Sequence, residues 1–212
     1  MLAELVTRLS GLVQGQIQGL RGDKTAALVI TDGHARYQEA VIQGNVYSLA
    51  TAAAGVTIAA ANVFSAANAQ PLVGIFNPAN SGVNAVVLRG RHTWNSGTTG
   101  ASGLVWATAP SPAGITAASA NSPINMLTLA ATGSKMRGYT NSAMTAITGN
   151  QITIFSGGPT VGALAANGSA TFLDEVAGEF IIPPGAAGGL FAASAGTSPI
   201  VAASMTWEEV PV

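Results

Sequence analysis

The residues of this chain best equipped for chemistry are its two histidines, His34 and His92, and its few charged side chains. There is no cysteine, which excludes a thiol nucleophile, a disulfide framework and a zinc–thiolate site. His34 follows Asp32-Gly33, a strong turn dipeptide, and is expected in solvent. His92 lies in Arg89-Gly90-Arg91-His92-Thr93-Trp94. In an extended chain Arg89, Arg91 and Thr93 share one face, and Leu88, Gly90, His92 and Trp94 share the other. Two arginines so spaced require carboxylate partners. Asp174, Glu175 and Glu179 are the candidates, which predicts an ion-pair cluster of Arg89, Arg91, Asp174, Glu175 and Glu179 within or between subunits. The alternative is sugar or anion binding by Arg89, Arg91 and Trp94.

Other catalytic patterns lack their parts. Asp174-Glu175 and Glu208-Glu209 are adjacent pairs. Neighbouring strand residues point to opposite faces, so neither pair chelates one ion with its side chains. The clustering of His, Asp and Glu that a metal needs is missing. Glycoside hydrolysis needs two carboxylates flanking the bond, and no spacing designates two. There is no G-x-S-x-G elbow, phosphate loop or dinucleotide fingerprint. The expectation is a protein that is not an enzyme and takes no cofactor or metal.

Charge distribution points elsewhere. Charged residues make up 8% of the 212, against a typical ~25%. None occurs between Glu39 and Arg89, or between Arg91 and Lys135. No apolar run reaches membrane length, because Gly, Ser, Thr, Asn and Pro interrupt each one, so no membrane partner is expected. The formal net charge is −1, without the basic patch that phosphate binding requires, so no nucleic acid is expected either. A charge-poor surface favours coverage by copies of the same chain or by a partner. The absence of cysteine favours cytoplasmic synthesis. Residues 1–20 do not read as a signal peptide, since Glu4 opens the segment where a basic region would stand.

Those few side chains are positioned by two kinds of element. Over residues 1–20 an amphipathic helix is predicted, with Leu2, Leu5, Val6, Leu9, Leu12, Val13, Ile17 and Leu20 at helical spacing. Gly11, Gly15 and Gly19 weaken its second half, and the alternative is a chain that leaves helix near Gly11. The stripe is expected to dock on a partner as an arm, residues 1–22. Arg21-Gly22-Asp23 matches an adhesion tripeptide but reads as a turn. From residue 23 to 212 the pattern is that of a β body. Strands are predicted over 26–31, 35–43, 45–49, 55–58, 71–76, 82–94, 102–107, 125–130, 151–155, 170–176, 178–182, 189–193 and 199–207, with turns at Asn77–Gly82 and Pro183-Pro184-Gly185. In the last strand Val201, Ala203, Met205 and Trp207 share the face expected in the core. Many short strands with Gly/Pro-rich turns indicate an all-β, jelly-roll-like two-sheet antiparallel sandwich.

From Gln70 onward the chain resembles a family of small virion proteins of tailed bacteriophages, the head decoration or cement proteins. The residues that carry the likeness are Pro71 to Asn84, Val87-Leu88-Arg89, Trp94 to Gly100, Ile182-Pro183-Pro184-Gly185, Gly196 to Ile200 and Thr206 to Val212. The resemblance implies a non-enzymatic β-sandwich on the outer capsid surface, commonly a homotrimer, docked on the major capsid protein. It implies a virion location after synthesis in the host cytoplasm, and no catalytic residues. A tail, fibre or baseplate subunit with a receptor- or glycan-binding role is the alternative, for which Trp94 and Trp106 are the hint.

Overall fold

The computed structural model describes residues 21–22, 28–29, 36–64, 69–98, 103–110, 122–142, 144, 152–156, 170–194 and 197–212. The chain forms two compact units, Met1–Glu39 and Ala40–Val212. In the first, β1 (Arg21–Gly22) pairs antiparallel with β2 (Leu28–Val29). The arm residues Leu2, Leu5, Val6, Leu9, Leu12, Val13 and Ile17 lie outside the described residues, as does His34.

The strand expected over 35–43 is replaced by a one-turn helix, α1 (Gln38–Ile42). Gln, Glu and Ala favour helix, and this local preference outweighs a short alternation of polar and apolar residues. Tyr37 enters the turn at φ 68°. Gly44, at φ 76°, ends it, its N–H bonding the Val41 carbonyl at 2.9 Å.

The second unit holds β3 (Val46–Ala50), β4 (Val56–Thr57), β5 (Val73–Phe76), β6 (Val83–Thr98), β7 (Leu104–Pro110), β8 (Ile124–Asn125) and β9 (Arg137–Tyr139). It continues with β10 (Ile152–Ser156), β11 (Ala170–Asp174), β12 (Phe180–Ile182), β13 (Ala186–Ala192) and β14 (Thr197–Pro211). One antiparallel sheet has the order β11-β6-β14-β3-β8, with β12 also on β6 and β4 also on β14. The other has the order β10-β7-β13-β5-β9. The fold is all-β and sandwich-like, as the turn-punctuated sequence predicts.

Alternation along the long strands drives the packing. Val201, Ala203, Met205 and Trp207 are buried, and they meet Leu49, Val87 and Trp94 of the same sheet. Val73, Ile75, Leu104, Trp106 and Leu190 of the other sheet complete one core. Each large apolar side chain buried there contributes about 1.5–3 kcal/mol.

A second apolar layer lies on the far face of the five-stranded sheet. There Phe76, Val105, Ala107, Tyr139, Ala187 and Phe191 are covered by Phe64, Ala69 and Met144. Every residue of β13 is consequently buried, which explains its unbroken Ala-Ala-Gly-Gly-Leu-Phe-Ala run. The covering segments are pinned by buried Asn62. Its Oδ1 accepts the Ala59 N–H at 2.8 Å, and its Nδ2 donates to the Gln70 carbonyl at 3.0 Å and to Asn141 Oδ1 at 2.8 Å.

Several strands are shorter than expected, β5, β11 and β12 by two residues each. Of 55–58 only Val56–Thr57 lies in a strand, and of 125–130 only Asn125 does.

Candidate functional site

The charged cluster is organised by β6. Arg89, Arg91 and Thr93 point outward, while Gly90, His92 and Trp94 are buried. Trp207 stands opposite Val87 and Thr206 opposite Arg89, so Leu88 is an extra residue in β6 and forms a bulge. The connection after β11 bonds to this bulge, with the Ala177 N–H on the Leu88 carbonyl at 2.8 Å and the Gly178 N–H on the Val87 carbonyl at 2.9 Å. Glu175 thereby reaches Arg89, with Nε and Oε1 4.0 Å apart. Both groups are partly exposed, and such a pair contributes only about 0–1 kcal/mol.

The remaining members of the expected cluster are placed differently. Arg91 is exposed, opposite Leu173 on β11 and Ser204 on β14. Glu179 is exposed and forms no ion pair among the described residues. Asp174 turns inward. Its register partner on β6 is Gly90, and its Oδ2 accepts the Trp106 indole N–H at 2.7 Å. The cause is strand parity, since Asp174 and Glu175 are neighbours and cannot both face the arginines.

His92 is 2% exposed, with its ring stacked on Phe172 of β11 at 5.0 Å between centroids. Its Nε2 is buried without a hydrogen-bond partner. Burial lowers its pKa, and the nearby Asp174 carboxylate partly offsets this. The unfolded chain therefore binds a proton at higher pH than the folded one. The stability held by neutral His92 is complete above about pH 6.5 and declines as pH falls towards the lowered value. Unfolding followed by denaturant at pH 7.5 and 5.5 should show a loss that His92→Phe removes. An equal loss in the variant would assign the acid sensitivity to other groups.

Trp94 and Trp106 are 3% and 0% exposed. Trp94 is thus sealed behind the sheet face that carries the arginines, and sugar binding by Arg89, Arg91 and Trp94 together is geometrically excluded. The pair hinting at a glycan site belongs to the core.

Sequence reading missed Glu209. It is 6% exposed and accepts the Ser134 hydroxyl at 2.6 Å and the Lys135 N–H at 3.1 Å on each carboxylate oxygen. It ties the 134–135 segment to β14, whereas Glu208 is half-buried on the opposite face. Alternation assigns the two to opposite faces but does not say which one is buried. Among the described residues no group of three or more His, Asp or Glu side chains could hold a metal ion. No family model, characterised protein or solved structure matches this chain.

Proposed function

We propose that this chain is a non-enzymatic virion structural protein with a jelly-roll body, decorating and cementing the outer capsid surface of a tailed phage. It would act by self-association, as a homotrimer, and by docking on the major capsid protein after synthesis in the host cytoplasm. The observation that carries the reading is strand order. Let β3, β5, β6, β7, β10, β11 with β12, β13 and β14 be eight successive strands. One sheet then runs 1-8-3-6 and the other 2-7-4-5. That interleaving is the order expected of two nested Greek keys and supports a jelly roll, a fold that recurs in capsid proteins and lectins. Fold alone does not assign function. The sequence resemblance and the long uncharged stretches weight the capsid over the lectin. The alternative glycan-binding role loses its support with both tryptophans in the core.

The test is location. Antibody against the chain, applied to intact virions and viewed by electron microscopy, should label the head surface in a regular pattern. Label confined to the tail or baseplate would replace this reading with the receptor-binding one.

A further inference from the structure

His92 is buried, yet its cover on one side is a strand at the edge of a sheet. Phe172 of β11 stands opposite His92 in register and stacks on its ring at 5.0 Å between centroids. β11 pairs with β6 and with no other described strand.

This cover is lightly held. The described inward side chains of β11 are Phe172 and Asp174, both only partly buried. Asp174 supplies the strand's side-chain bond to the facing sheet, its Oδ2 accepting the Trp106 indole N–H at 2.7 Å. On the outer face the Thr171 and Thr93 hydroxyls meet at 3.0 Å, where water competes for both. Thr171 and Leu173 are exposed. Beyond the strand, the Ala177 and Gly178 N–H groups bond the β6 bulge separately, and β12 has its own pairing with β6. The chain can therefore part from β6 over Ala170–Asp174 while β12 stays in place. Segments with so little buried apolar surface open at a small fraction of the global cost.

Protonation of His92 acts against this cover. An imidazolium donates from both ring nitrogens. Nε2 is buried without a partner, so the charged ring would carry an unmade bond as well as a desolvated charge. Among the described residues, only Asp174 faces it with a charge, from opposite Gly90, and that carboxylate is engaged by the indole. β14 turns Val201, Ala203 and Met205 inward, and β7 lays Trp106 against Gly90, none of which titrates. Arg89, Arg91, Glu175 and Glu208 lie on the outer face, Glu179 is exposed, and Glu209 is bonded to Ser134. Burial outweighs the attraction of Asp174 and holds the ring neutral below its usual range. Once β11 parts, the ring meets water and regains its ordinary value of about 6.5. The open form therefore binds the proton more tightly, and acid favours it.

We infer that β11 is an acid-released edge strand with His92 as its trigger, parting from β6 over Ala170–Asp174 while both sheets stay folded. Overall unfolding carries the same proton linkage, so the distinguishing quantity is local opening. Hydrogen exchange of the full chain, read amide by amide and corrected for the intrinsic rate, measures it at pH 7.5 and 5.5. The β11 amides should exchange through an opening that low denaturant does not promote, with protection at least about 100-fold below that of β13. Their protection should fall by up to about tenfold between the two pH values, the most that one group titrating near 6.5 supplies over this range. The Met126 amide, bonded to the Val46 carbonyl at the opposite edge, opens without uncovering His92 and should be unchanged. His92→Phe, or His92→Gln if the first does not fold, should abolish the fall. Asp174→Asn keeps an acceptor for the indole but removes the charge facing His92, and should leave the fall intact. β11 amides as well protected as those of β13 would mean that acid acts only through overall unfolding, which overturns the inference. So would an absent fall in the wild type, an equal fall in the His92 variant, or a fall abolished by Asp174→Asn.

Discussion

Gly90→Ala is expected to destabilise the protein by about 3 kcal/mol, the upper end for inserting one methyl group into a packed core. The backbone of Gly90 is not in the left-handed region, so its conformation does not demand glycine. What demands it is Trp106, because a Cβ at position 90 would overlap Cζ2 of the indole. The ring has nowhere to retreat. It is fully buried, packs on Phe180 at 5.7 Å and donates its N–H to Asp174 at 2.7 Å. Displacing it would break that bond and leave a partly buried carboxylate without its donor. Trp106→Leu alone should cost about 3 kcal/mol through lost volume. The distinguishing result is non-additivity, since with leucine at 106 the added Gly90→Ala should cost under about 1 kcal/mol. Denaturant titration of the four proteins measures all the terms. The same cost in both backgrounds would show that the indole is not the reason for glycine at this position.

How much of this was legible in the sequence depends on whether one strand or two strands decide the outcome. The inward face of β14 could be read directly, because Val201, Ala203, Met205 and Trp207 follow period two without interruption. Arg89 and Arg91 opposite His92 and Trp94 could be read the same way. The turn at Pro183-Pro184-Gly185 forms as expected, with the Ala186 N–H on the Pro183 carbonyl at 3.1 Å. Arg89 with Glu175 was within reach of such reasoning. The inward turn of Asp174 was half within reach, since parity requires one of the adjacent acids to leave the arginine face. Which one leaves is set by the register of β11 against β6, and no single strand encodes that.

The misread elements share a cause, a local or three-dimensional condition that overrides period. Gln38-Glu39-Ala40 alternates too briefly to outweigh helix preference. The stretch 125–130 looks like a strand by composition, but Asn125 captures its N–H groups and bends it into a loop. The segment 186–192 carries no alternation because a second apolar layer covers its outer face. That layer comes from residues distant in sequence, Phe64 and Met144 among them. The buried asparagines were invisible for a related reason. An asparagine in a turn and an asparagine fastening a corner look alike until the carbonyls around them are in place.

Asn77 gives this last point its sharpest test. It is fully buried at the end of β5, and its Nδ2 donates to the Val83 carbonyl at 2.8 Å and the Ile182 carbonyl at 2.9 Å. Only an amide nitrogen can serve two carbonyl oxygens, so the side-chain orientation is fixed by chemistry. The backbone of Asn77 adds bonds from its N–H to the Ala186 carbonyl and from the Gly185 N–H to its own carbonyl. One residue therefore fastens β5, β6, β12 and the turn into β13. Asn77→Ala should cost about 2–3 kcal/mol at pH 7 by leaving both carbonyls unpaired. Asn77→Asp preserves size yet should cost more, about 4 kcal/mol, because a buried carboxylate would face those same oxygens. Burial raises the pKa of such a carboxyl above its unfolded value of about 3.9. The excess cost of Asn77→Asp over Asn77→Ala should therefore shrink as pH falls towards 4, where the protonated carboxyl can donate to one carbonyl. Paired unfolding curves at pH 7 and pH 4.5 measure that gap. A gap that stays constant, or an aspartate variant as stable as the wild type, would mean that the two donated bonds do not hold this corner together.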